Sequence, residues 1–188
     1  MLEQFDQNIL LFFNGYHTPW LDSLMMTITN KWTWVPFYLL LVILLFIKCG
    51  WKRTLIYLIG IAVMITLCDQ MCGSWIRNAV ERLRPCAIEN PFSAFVHTVN
   101  DYRPGSYSFP SCHAANAFAL ATFMSLVIHN KWFTATLYIW STIICITRLY
   151  LGVHYPSDLI VGAIIGALIA LIIYIISNKV ITTKRNHI

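Results

Sequence analysis

Residues 147–178 read TRLYLGVHYPSDLIVGAIIGALIALIIYIISN. A polar head carrying Arg148, His154 and Asp158 runs directly into an apolar stretch, 157–178, with no charge beyond Asp158. That stretch matches the ~20 residues a helix needs to cross the hydrocarbon of a bilayer. Its apolar residues are continuous rather than alternating, which argues against a barrel strand. Gly152 allows a turn and Pro156 suits a helix start, so the polar head reads as the corner between two spans. Ionisable groups at such a place are functional by default.

Working outward, four more apolar runs stand at 33–48, 55–76, 109–128 and 132–149. The chain is 188 residues, 58% hydrophobic and only 11% charged, against about 25% charged for soluble domains. The expected class is an all-α polytopic membrane bundle forming one integral-membrane domain, 1–188. A secretory signal is not expected, since Glu3 and Asp6 stand where a basic leader would begin. The stretch 3–30 is ambiguous. Leu2, Phe5, Ile9, Leu10, Phe12 and Phe13 form a helical apolar stripe, Asn14 to Pro19 breaks it, and Trp20 to Ile28 resumes it. Two interfacial helices and an irregular sixth span both fit.

Charge sets the orientation. If the loop 77–108 lies on face A, the connections 48–54 and 129–131 and the tail 179–188 lie on face B. Face B holds Lys48, Lys52, Arg53, Lys131, Lys179, Lys184 and Arg185, and no acid. The positive-inside rule makes face B cytoplasmic. Trp32, Trp34 and Trp75 fall near face A, and Trp51 and Trp132 near face B, as interfacial belts would. The net charge of +5 therefore reports topology, and nucleic acid is not an expected partner.

Three polar clusters fall on face A: Arg77-x6-Arg84-Pro85, Ser108-Phe-Pro-Ser-Cys-His113, and Thr147-Arg148-x5-His154-x3-Asp158. The spacing of Arg77 and Arg84 is nearly two helical turns. It predicts both guanidiniums on one face of a helix that Pro85 ends. Arginine grips phosphate oxygens bidentately; a pairing of Arg77 with Glu81 or lipid headgroups is the structural alternative. Ser108 to His113 predicts a helix start whose free N–H groups attract an anion, with His113 in the first turn. Asp158 is close enough to bond one nitrogen of His154 and leave the other free to attack; an Arg148–Asp158 ion pair is the alternative. Jointly, three arginines would stabilise a phosphate while one histidine attacks and the other protonates the departing oxygen.

Among the cysteines, Cys49, Cys68, Cys72 and Cys145 read as small hydrophobes; the six together show neither CxxC nor zinc spacing. Cys86 and Cys112 sit beside motif residues, so a disulfide between them is open. Gly162-x3-Gly166 permits close helix approach, either within one bundle or between protomers of a homo-oligomer.

At these three motifs the chain resembles the type 2 phosphatidic acid phosphatase superfamily, membrane lipid phosphatases that share their site with vanadium haloperoxidases. The likeness spans Arg77 to Asp158. It implies a six-helix bundle, which favours a span within 3–30, and needs no metal or cofactor. It implies His154 as the nucleophile forming a phosphohistidine, Asp158 orienting it, and His113 as general acid. Arg77, Arg84, Arg148, Ser111 and the Cys112 turn would hold the phosphate. Three positions depart from the family pattern: Arg77 for Lys, Cys112 for Gly and Thr147 for Ser. The implied activity is hydrolysis of a lipid phosphate in the bacterial inner membrane, at the periplasmic face. Lipid A phosphate, undecaprenyl diphosphate and phosphatidylglycerol phosphate are the candidate substrates, with His97, Asp101 and Arg103 as candidate headgroup contacts. A non-catalytic lipid-phosphate binder or transporter is the alternative.

Overall fold

The computed structural model describes residues 2–185. Residues 186–188 of the basic tail, and the side chains of Leu2, Lys184 and Arg185, lie outside the described residues. The described chain is helical, and its one β-type pairing is the isolated bridge Leu83–Tyr107. Helices α1 (Leu2–Gly15) and α2 (Pro19–Thr29) come first, and a 3₁₀ turn at Lys31–Trp34 leads into α3 (Val35–Cys49). Helix α4 (Trp51–Gln70) continues through a π turn at Met71–Trp75 into α5 (Ile76–Val80). A long connection then reaches α6 (Cys112–Ile128), α7 (Lys131–Tyr150) and α8 (Pro156–Arg185).

Local chemistry explains the boundaries. Gly50, at a left-handed φ of 73°, reverses the chain between α3 and α4. The Asn130 side chain accepts hydrogen bonds from the N–H groups of Trp132 and Phe133, satisfying two orphan donors at the start of α7. Among the described residues, three helical stretches are long and apolar enough to cross a membrane: Lys31–Cys49, Trp51–Val80 and Pro156–Thr183. Their outward faces carry exposed Leu40, Ile47, Ile59, Ile164, Leu168 and Ile172. A contiguous apolar exterior of this kind suits lipid, not water. Lysine–tryptophan pairs mark both ends of the bundle, Lys31 on Trp32 at one and Lys52 on Trp51 and Lys131 on Trp132 at the other.

Helix α6 occupies the centre, and its buried alanines 114, 115, 117, 119 and 121 keep it thin. Helix α8 packs on it through Gly162 and Gly166. A β-carbon at these positions would lie 2.4 Å from the Ser111 carbonyl oxygen and 2.0 Å from that of Ala115. The small-residue pair thus serves close approach within one bundle, because it faces α6, and a homo-oligomer contact through Gly162 and Gly166 is not shown.

A sixth span is not confirmed either. Helices α1 and α2 have 14 and 11 residues, about 21 and 17 Å at 1.5 Å per residue, too short for ~30 Å of hydrocarbon. Both ends of α1 are tied to one end of the bundle. Asp6 bonds Arg82 and Ser157, while Asn14 donates to the backbone carbonyls of His97 and Tyr150. Asp22 of α2 accepts from the Tyr150 hydroxyl. The two helices lie over the end of the bundle where the three motifs meet.

Candidate active site

The corner between α7 and α8 sets the position of His154. Gly152 adopts a φ of 65°, and a β-carbon there would lie 2.2 Å from Val96, so glycine alone fits. Asp158, in the first turn of α8, accepts from the Tyr155 N–H at 2.9 Å. This is one half of a capping box, so helix capping fixes the carboxylate. His154 Nδ1 lies 3.5 Å from Asp158 Oδ2 but out of line, and the nitrogen is buried without a hydrogen-bond partner.

Arg84 reaches the same imidazole from another direction. The two-turn helix expected over 77–84 is not formed. Glu81, at φ 50°, caps α5 in the left-handed conformation, and the chain continues extended. Arg84 N–H then donates to the Ser106 carbonyl at 2.7 Å and Ser108 N–H to the Arg82 carbonyl at 2.8 Å. On this arm Arg82 and Arg84 project to one side, as i, i+2 residues of an extended chain do. Arg84 Nη1 donates to the Val153 carbonyl at 2.8 Å and contacts His154 Nε2 at 3.0 Å. Guanidinium only donates, so Nε2 is the unprotonated nitrogen and Nδ1, facing Asp158, carries the proton.

Arg77 follows the π turn, whose extra residue rotates what comes after it by about 100°. Its Nη2 donates to the Pro110 carbonyl at 3.1 Å and lies 3.4 Å from Cys112 Sγ. Arg148, from the end of α7, is 1% exposed; its Nη1 donates to Thr29 Oγ1 at 2.6 Å, and its guanidinium sits over the Tyr102 ring. The Nε groups of Arg77, Arg84 and Arg148 are all buried and unpartnered. None of the three arginines joins an ion pair among the described residues. Neither ion-pair alternative holds: Arg77 makes no ion pair with Glu81, and the carboxylate of Asp158 goes to Arg82 instead of Arg148.

The electrostatics follow. Burial, with Arg77 and Arg148 nearby, lowers Arg84 to about 10. Burial and the charges of Arg84, Arg148 and Arg77 push His154 well below the ordinary imidazole range, so it is neutral. His113, in the first turn of α6, lies within electrostatic reach of Arg148, His154, Arg84 and Arg77. Ser111 is buried; its hydroxyl caps α6 by accepting from Ala114 N–H, and its own N–H donates to the Asp158 carbonyl at 3.0 Å. That bond ties the second motif to the third.

Cys112 points its sulfur towards Arg77 and Gly73 of the π turn. Cys86 and Cys112 are both free thiols, so the disulfide is not formed. His97, Asp101 and Arg103 bond within the loop and to α2, although Asp101 is 78% exposed. His97 Nε2 meets Asp22 at 3.1 Å, and Arg103 bonds Asp101 and the Cys86 carbonyl.

Two contributors escaped sequence reading. Arg82 bonds Asp158 at 2.8 Å and Asp6 at 2.7 Å, and Asp6 also accepts from the Ser157 N–H. The available signals were the i, i+2 spacing of Arg82 to Arg84 and a lone acid inside the apolar stripe of α1.

The arrangement can accept a tetrahedral anion between three cations and present a neutral imidazole to it. Residues 53–181 match the family described as PAP2 superfamily. The chain is 44% identical to a lipid A 4'-phosphatase of Bacteroides thetaiotaomicron over 95% of its own length and 79% of that protein's. It is 32% identical to a lipid A 4'-phosphatase of Porphyromonas gingivalis over 90% of its length and 71% of that protein's. In fold it is similar to the crystal structure of a PAP2-type phosphatidylglycerolphosphate phosphatase from Bacillus subtilis. The TM-score is 0.68 at 22% identity, covering 95% of this chain and 87% of that one. A family match over most of the chain, with relatives of this reach, makes the conclusion plain: this chain belongs to the PAP2 superfamily and is a membrane phosphatase.

Proposed function

We propose that the protein hydrolyses a lipid phosphate at the periplasmic face of a bacterial inner membrane, with lipid A phosphate the first candidate. One observation carries the reading: three arginines with buried, unpartnered Nε groups, none paired with a carboxylate, act on one neutral histidine, and Arg84 contacts its unprotonated Nε2. Buried cations without counter-ions are strongly unfavourable unless an anion joins them. A phosphate would take over the hydrogen bond that Arg84 now gives His154 and free its lone pair.

Nε2 then attacks phosphorus, forming a P–N bond while the P–O bond to the lipid breaks. His113, carrying a proton while the bound phosphate offsets the charge of the three arginines, donates it to the departing oxygen. Water next attacks the phosphohistidine, His113 recovers a proton from it, and inorganic phosphate leaves. The guanidiniums stabilise the charge that spreads over the equatorial oxygens. Asp158 keeps the proton on Nδ1 and balances the imidazolium character that develops. Five helices cross the bilayer in this reading, with α1 and α2 on the periplasmic side, in accord with the acid-free basic end opposite. The names of the two relatives favour lipid A over undecaprenyl diphosphate and phosphatidylglycerol phosphate.

The test is phosphate release by purified protein in detergent, with chelator present, from these three lipids. Release from lipid A, lost in His154→Ala protein that remains folded, is the expected result. No release from any of the three, or undiminished release by the variant, contradicts the proposal.

A further inference from the structure

One stripe of α6 leads away from the phosphate end into the bundle. His113, Asn116, Ala117, Leu120 and Met124 recur at helical spacing, and all line a cavity of about 540 Å³ between α3, α4, α6 and α7. Its deep walls are apolar, with Leu45 and Ile61 opposite Met124. Its mouth is not. Asp69, Lys31 and Thr29 stand there with Asn116 and His113.

Asp69 is unexpected on chemical grounds, since a carboxylate on a helix long enough to cross a membrane is rare and marks function. Asn116 Nδ2 donates to Asp69 Oδ1 at 2.8 Å. That bond orients the amide and leaves its oxygen, Oδ1, buried with no partner. One helical turn below the imidazole assigned to the leaving oxygen, the mouth therefore holds a carboxylate and, bonded to it, an amide whose oxygen is buried and unpartnered. Neither the phosphate chemistry nor the packing of α6 on α8 uses them.

We infer that Asp69 and Asn116 form a specificity subsite that accepts hydrogen bonds from a hydroxyl or amide N–H on the lipid alcohol, close to its phosphate ester, while an acyl chain of that alcohol fills the cavity below. This rests on the lipid phosphatase reading and sharpens it. The favoured substrate class is an acylated amino-sugar phosphate, whose alcohol carries such donors. A diacylglycerol phosphate and a polyprenyl diphosphate carry none at that place. A site built to hydrogen-bond a donor rejects the analogue that lacks it, because its own polar atoms are then left unpaired.

The experiment compares kcat/KM on lipid A phosphate with that on diacylglycerol phosphate for the natural protein and for Asn116→Leu, Asp69→Leu and Asp69→Asn, with thermal midpoints of each. The natural protein should prefer lipid A. Asn116→Leu and Asp69→Leu should lower kcat/KM on lipid A by about 10-fold or more, mostly through KM, and leave diacylglycerol phosphate within about twofold of its starting rate, however low. Asp69→Asn, which keeps an oxygen acceptor, should retain most of the lipid A rate. The inference is overturned if the natural protein shows no preference, if both substrates fall together, or if neither leucine variant changes the ratio. Failure of the natural protein to release phosphate from any lipid would instead overturn the underlying phosphatase reading.

Discussion

Arg82 and Arg84 leave one extended arm on the same side, yet Arg82 is held by two carboxylates and Arg84 by none. Arg82 binds Asp6 and Asp158 and so joins α1, the arm and α8 into one unit. Arg84, 4% exposed, gives its bonds to a backbone carbonyl and an imidazole and keeps its full charge. A paired cation serves the fold; an unpaired one beside two others destabilises the fold and serves the ligand. The motif spacing marks only Arg84, but the fold relies on Arg82 to place the carboxylate that faces His154.

Substitution separates the two roles. Arg84→Ala should lower phosphate release by ~10²–10³-fold, the usual loss for one donor to transition-state charge, while the thermal midpoint holds or rises. A large stability loss in that variant would break the contrast. Arg82→Ala should do the reverse first. It leaves two carboxylates without their cation, and Arg82 is 26% exposed, so the loss belongs at the low end of the buried-pair range, about 3 kcal/mol. Denaturant or thermal unfolding in detergent reads it, and an unchanged midpoint would show the network to be ornamental.

The smallest effect is in pH. His154 has its folded pKa held below the unfolded value of about 6.5, so the unfolded chain binds more protons in that window. Stability from this residue is present above about pH 6.5 and is lost as pH falls below it. The difference in thermal midpoint between the natural protein and His154→Gln should therefore shrink or change sign from pH 7.5 to pH 5.5, the range being chosen about that ordinary value. A difference independent of pH would mean that His154 is not held neutral.

Much of this was legible in the residues. The five apolar runs became α3 to α8, and the all-helical class followed from their continuity. The three motifs could be placed on one face because each borders an apolar run. What stayed hidden depends on partners distant in sequence. A two-turn spacing between Arg77 and Arg84 fits a helix as well as a helix followed by an extended arm; Glu81, at φ 50°, decides between them, and the arm is then held by Ser106 and Ser108. The apolar stripe of α1 reads correctly as helix but does not say where it lies, since Asp6 finds Arg82 and Ser157 only in the fold. Gly162 and Gly166 promise a close neighbour without naming α6.

The most direct test of the central claim is a rapid-quench trap with phosphorus-labelled lipid phosphate, followed by mapping of the labelled peptide. The account expects an alkali-stable, acid-labile phosphoryl group on His154, formed in the natural protein and absent in His154→Gln. Label on another residue, or full turnover with no labelled intermediate and an active His154→Gln protein, would contradict it.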